Sequence, residues 1–230
     1  MGTPVSLGPG MYQVTEMAPV TPAGMIALDP VFSSECSGNI QAGQELSCSI
    51  INEFTDTINV GEFPVALEFS PTTNDIYVGN TVTDDVTVIA PNNIVVDTID
   101  VGDMGNIGVI SDGYSFLLPT DKLEYSPETG DIYVANAFSD TVTVIHPDGT
   151  TDTTPVGDGP QALEFSPTTN DIYVANSNTI SSGTVTVIHP DGTTDTITVG
   201  DIPVALEFSP ETGDIYVANA ESGTVTVIPP

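Results

Sequence analysis

The chain has 230 residues, of which 32 are Asp or Glu and one, Lys122, is basic, giving a formal net charge of −31. That balance excludes nucleic acid and anionic membrane surfaces as partners, since both are held through basic patches. Hydrophobic residues make up 39% of the chain, enough for a folded core, and no apolar run reaches the roughly 20 residues of a membrane span. A chain that repels itself this strongly is expected to lean on cations, either bound or supplied by salt.

Residues 1–53 differ in composition from the rest and form the first expected domain. They hold Gly10-Met-Tyr-Gln-Val-Thr-Glu-Met17, a Pro-rich connection, and two cysteines, Cys36 and Cys48, the only pair in the chain. The residues between the cysteines read as two short strands joined by a Gly-containing turn. A Cys36–Cys48 disulfide across that hairpin is expected to contribute about 3 kcal/mol by closing a short loop, and it implies an oxidising, extracellular or cell-surface compartment. The alternative is two buried free thiols. The segment resembles the closing half of a prealbumin-like, B-type repeat domain of microbial surface adhesins, which carries the same Gly-x-Tyr-x-Val-Thr-Glu strand and a Cys-x-Gly-x-Ile…Gly…Cys-x-Ile-x-Asn pattern. The family's preceding strands are missing, so the resemblance implies a partial Ig-like or prealbumin-like β segment with unpaired edges.

Residues 54–230 form the second expected domain and are repetitive. Asp-Ile-Tyr-Val recurs at Asp75, Asp131, Asp171 and Asp214, at spacings of 56, 40 and 43 residues. Each copy follows a variant of Ala-Leu-Glu-Phe-Ser-Pro and precedes Val-Thr-Val-Ile. A period near 40 residues built only of short strands and turns predicts an all-β fold, a β-propeller of four four-stranded blades. Inner strands are expected at Val65–Phe69, Lys122–Tyr125, Ala162–Phe165 and Val204–Phe208. Outer strands are expected at Thr55–Val60, Val95–Val101, Thr151–Val156 and Thr194–Val199. The first outer strand precedes the first inner one and the last unit lacks its own. Pairing Thr55–Val60 with Thr224–Ile228 is therefore expected to close a four-bladed ring; a slice of a longer ring and pairing between copies are the alternatives. Tyr77-Val-Gly-Asn80 and the three Tyr-Val-Ala-Asn elements resemble the YVTN-type propeller repeat of microbial surface-layer proteins. That resemblance implies an extracellular propeller without assigned chemistry.

Two stretches break register, residues 100–122 and Ser177–Gly183, and both are expected on one rim. The first contains Tyr114, Phe116, Leu117 and Leu118, an apolar stretch that serves as the candidate interaction loop. Glu68, Glu124, Glu164 and Glu207 recur at one position of the inner strand. In a closed ring they would converge on the axis and form a candidate site for Ca²⁺ or another hard cation; the alternative is that each caps neighbouring backbone amides. Glu62, Asp103, Asp158 and Asp201 follow the glycine ending each outer strand, where turn chemistry accounts for them. Asp148-Gly149 and Asp191-Gly192 look like calcium loops but lack the ligand count, so His-Pro-Asp-Gly is expected as a type I turn. His146 and His189 are a weak metal signal. No nucleophile elbow and no phosphate loop is recognisable.

The expectation is therefore a non-enzymatic, extracellular surface protein, structural or adhesive. It would self-associate as a homo-oligomer or polymer into a layer, sheath or filament, and meet other surface proteins or glycans. The alternative is a secreted propeller enzyme or small-ligand-binding protein with its site on the rim bearing residues 100–122.

Overall fold

The computed structural model describes residues 10–13, 25–27, 31–32, 37–41, 50–51, 54–105, 122–177 and 183–230. Cys36 and Cys48, and the candidate loop of Tyr114, Phe116, Leu117 and Leu118, lie outside the described residues. All described regular structure is β, in two compact units spanning residues 1–58 and 59–230.

The first unit contains three two-stranded ladders. Strand β1 (Gly10–Gln13) pairs with β4 (Ser37–Ile40), β3 (Val31–Phe32) with β5 (Ile50–Ile51), and β2 (Met25–Ala27) with β6 (Phe54–Asp56). The last ladder corrects the closure expected from sequence. Thr55 and Asp56 pair with Ile26 and Met25, and among the described residues Thr224–Ile228 pairs with Ile215–Asn219 and not with Thr55–Val60.

The second unit consists of four antiparallel sheets in a propeller-like arrangement. Sheet I runs β7 (Pro64–Ser70), β8 (Asp75–Asn80), β9 (Asp85–Ile89) and β10 (Val95–Asp100). Sheet II runs β11 (Leu123–Tyr125), β12 (Ile132–Asn136), β13 (Thr141–Ile145) and β14 (Thr151–Pro155). Sheet III runs β15 (Pro160–Ser166), β16 (Asp171–Asn176), β17 (Thr184–Ile188) and β18 (Thr194–Thr198). Sheet IV has three strands, β19 (Pro203–Phe208), β20 (Ile215–Asn219) and β21 (Thr224–Ile228). Each meander follows from its turns: the connection after every inner strand carries a left-handed residue at its end or one short of it, Asn74, Gly130, Asn170 or Gly213, residue types that accept positive φ at little cost.

Three apolar layers fill the spaces between consecutive sheets. Tyr77, Val86 and Val88 of sheet I pack with Leu123, Ile132 and Val134 of sheet II. Tyr133, Val142 and Val144 then pack with Leu163, Ile172 and Val174 of sheet III. Tyr173, Val185 and Val187 pack with Leu206, Ile215 and Val217 of sheet IV. Every sheet thus offers its Tyr-Val-Val face forward and its Leu-Ile-Val face backward. Burial on both faces is why the central strands read as nearly continuous apolar runs instead of clean alternation.

Candidate functional site: a buried lysine in an acidic propeller

The polar residues that recur in the repeat are mostly absorbed by structure. Asn136 donates to the Gly102 carbonyl at 3.2 Å and accepts from the Thr143 amide, also at 3.2 Å. Asn176 repeats the arrangement with Gly157 at 3.3 Å and Thr186 at 3.1 Å. Each asparagine therefore ties its own sheet to the end of the preceding sheet's outer strand, a buried join that carries no free chemistry.

The two histidines have structural partners as well. His146 Nδ1 lies 2.8 Å from Asp131 Oδ1 and its Nε2 lies 3.1 Å from Asp152 Oδ2. His189 sits likewise between Asp171, at 2.8 Å, and Asp195, at 3.2 Å. The hydrogen bonds to Asp131 and to Asp171 are the largest causes raising the two imidazole pKa values above the ordinary range. The register supplies a signal that sequence reasoning passed over. Pairing Ile132 with Ile145 sets residues 131 and 146 side by side one step further along, so an Asp–His pair across β12 and β13 is readable from the strand assignment.

Two of the glutamates recurring on the inner strands have backbone partners in the neighbouring sheet. Among the described residues no group of three or more His, Cys, Asp or Glu side chains could hold a metal ion. Glu124 accepts the backbone N–H of Phe165 at 3.3 Å, and Glu164 that of Phe208 at 3.1 Å. The reason is the geometry of edge strands: β15 and β19 leave outward N–H groups without a ladder partner, and the carboxylate one sheet earlier satisfies them. Glu207 is exposed and Glu68 half-buried, so the four do not share one environment. Asp148 accepts from the amide and hydroxyl of Thr150 at 3.0 and 2.6 Å, and the Gly149 amide donates to the His146 carbonyl at 2.9 Å. That is the expected turn. Asp191 and Thr193 repeat it.

One buried charged group has no such explanation among the described residues. Lys122 immediately precedes β11 and is the only cationic side chain apart from histidine. It is 5% exposed, and its Nζ has no hydrogen-bond partner among the described residues. Burial pushes its amine down to about 8. A buried ammonium is costly without a counter-charge, and among the described residues of this strongly acidic molecule none supplies one. Sequence reasoning noted Lys122 only as the end of the 100–122 segment. Its burial was missed because it occupies an inner-strand position that the other sheets fill with Ala66, Ala162 and Ala205. That break in the repeat was the signal available.

No family model matches the chain, and no curated protein matches it. Solved structures do. Hydrazine synthase from Kuenenia stuttgartiensis superposes with a TM-score of 0.59 at 21% identity, over 76% of this chain and 48% of that one. Virginiamycin B lyase from Staphylococcus aureus gives a TM-score of 0.53 at 13% identity, over 96% of this chain and 70% of that one. A protein described as a candidate 6-phosphogluconolactonase from Bacteroides uniformis gives 0.53 at 15%, over 85% of this chain and 58% of that one. The chain spans about half the length of the hydrazine synthase chain. At these identities the likeness establishes a propeller-like fold and no reaction. It corrects one expectation nonetheless: the reading as a non-enzymatic surface building block is overturned, because the structures sharing the fold are named for a synthase, a lyase and a lactonase.

Proposed function

We propose that the chain is a four-bladed portion of a propeller enzyme or small-ligand-binding protein whose working group is Lys122. The observation that carries this reading is the buried amine, which has no partner among the described residues. A structural lysine reaches solvent or a carboxylate; one held away from solvent with no carboxylate against it among the described residues fits the pattern of groups kept for chemistry.

With its pKa lowered to about 8, the Lys122 amine exchanges a proton near neutral pH, which an ordinary lysine does not. Protonated, it would hold a carboxylate or phosphate, the kind of group that the acidic remainder of the molecule repels. Deprotonated, it would act as a base beside a carbonyl or ester. The lyase and lactonase names among structures of this fold agree with an ester-bearing or anionic small molecule as ligand. They supply no residue roles.

Wild type and Lys122→Met are to be compared by calorimetry and by turnover on sugar lactones, phosphorylated sugar lactones and cyclic peptide esters. The proposal expects at least one class to bind or react with wild type, with an at least tenfold loss in Lys122→Met and partial recovery in Lys122→Arg for a purely electrostatic role. Equal behaviour of wild type and Lys122→Met on every compound that binds overturns it, as does a panel with no binder.

A further inference from the structure

The forward face of sheet IV and the inner-strand part of the backward face of sheet I are built like the faces buried between sheets but stand exposed, while Val78 behind Leu67 is buried. On sheet IV, Val225 is 61% and Val227 48% exposed. Their equivalents Val86, Val88, Val142, Val144, Val185 and Val187 are all buried under the next sheet. On sheet I, Leu67 is 70% and Phe69 47% exposed, whereas Leu123, Leu163 and Leu206 are buried against the sheet before. One end thus carries an unfilled Tyr-Val-Val face and the other an unfilled Leu-Phe face, the two halves of an interface this molecule forms three times within itself. A monomeric surface rarely leaves patches of that kind open.

The polar bonds are also halved. Glu124 and Glu164 each reach forward to the amide of the aromatic residue on the next inner strand, Phe165 and Phe208. Glu207, at the same place on the last sheet, is exposed. At the other end Phe69 is the equivalent aromatic residue, on the free edge of β7. The exposed carboxylate and the free inner-strand edge correspond to each other across the repeat.

We infer that a second copy of this chain covers these faces head to tail, the Tyr216-Val225-Val227 face of one copy on the Leu67-Phe69 face of the other, with Glu207 accepting the Phe69 amide. Because both faces occur once in each copy, two copies form two identical junctions, and the contact closes when the rotation permits. The result is a ring of eight sheets, within the usual propeller range of about four to eight blades. This inference concerns assembly and is independent of the role proposed for Lys122.

The test is the solution mass of the intact chain by light scattering, at about 0.15 M and 1 M NaCl, since the charge on each copy opposes association until screened. The expected mass is twice 23.9 kDa in at least one salt. A single-copy mass in both overturns the inference, and so does a mass that keeps growing with concentration beyond two copies. Leu67→Glu and Val225→Glu sit at exposed positions, so each variant should keep its β circular dichroism while falling to half the wild-type mass. Mixing the two restores one intact junction and should recover a species of two copies. Loss of mass with only one of the variants, or no recovery on mixing, overturns the head-to-tail arrangement.

Discussion

Gly157 and Asn176 occupy one another's space: a Cβ on Gly157 would lie 2.7 Å from the Asn176 side-chain amide and 2.8 Å from Thr184 Oγ1. The glycine is needed for its missing side chain, which leaves room for the asparagine of the following sheet. The same relation joins Gly102 to Asn136 and Gly200 to Asn219. Gly157→Ala should therefore displace a buried, fully bonded amide, destabilising by about 1–3 kcal/mol through overpacking. Gly192→Ala provides the contrast, since nothing lies within 4 Å and only its φ of +81° resists; about 1 kcal/mol is expected there. Chemical denaturation of both variants checks the order. A Gly157→Ala protein as stable as wild type would refute the space-sharing account.

The histidine pairs predict a pH dependence of definite sign. His146 and His189 have folded-state pKa values raised above the unfolded value of about 6.5 by their aspartate partners. Their contribution is fully present below that unfolded value and is lost as pH rises through the folded pKa. The neutral ring keeps one N–H for Asp131 or Asp171, while its second nitrogen faces a carboxylate with no proton to share. Double replacement by alanine should narrow the stability gap to wild type on going from pH 5.5 to pH 8.5. Melting temperatures across that range decide it, and a gap that widens with pH would contradict the assignment.

Glu164 is expected to act as a hydrogen-bond acceptor for a neighbouring strand. Glu164→Ala leaves the Phe208 amide without its acceptor, and about 1–3 kcal/mol of stability should be lost. Glu164→Gln retains a carbonyl oxygen in place and should recover most of it. Equal losses for the two would point to the charge instead of the bond.

Lys122 should weaken the fold that contains it. Its lowered pKa, about 8 against 10.5, corresponds to a penalty of order 3 kcal/mol for carrying the charge at neutral pH. Stability should rise between pH 8 and 10.5, where the unfolded chain binds more protons than the folded one. Lys122→Met should be more stable than wild type at pH 7 by about 1–3 kcal/mol, and the pH-dependent rise should disappear. A loss of stability in Lys122→Met would mean the amine has a structural partner.

Much of the fold was legible because the repeat is written in register. Expected inner strands such as Val65–Phe69 and Ala162–Phe165 lie inside the observed Pro64–Ser70 and Pro160–Ser166. Pairing partners were less legible. Thr55-Asp-Thr-Ile-Asn-Val-Gly61 and Thr194-Asp-Thr-Ile-Thr-Val-Gly200 are nearly the same string, yet Thr194–Thr198 pairs with β17 whereas Phe54–Asp56 pairs with β2. Local pattern fixes that a segment is a strand, and long-range competition fixes its partner. For the glutamates, Glu124 and Glu164 take up the amide-capping alternative, whereas the cation reading presupposed convergence on the axis of a closed ring. The candidate site was illegible in another way, since a lysine on an apolar strand reads as exposed until its surroundings are known.

The account turns on Lys122 being a buried amine poised near neutrality. Because the chain has a single lysine, reductive ¹³C-methylation gives one side-chain signal beside that of the terminal amine, and its NMR titration reads the pKa directly. The account predicts a midpoint near 8 in the folded protein, returning toward 10.5 in denaturant. A folded-state midpoint near 10.5 would mean a solvated lysine and would contradict the central claim.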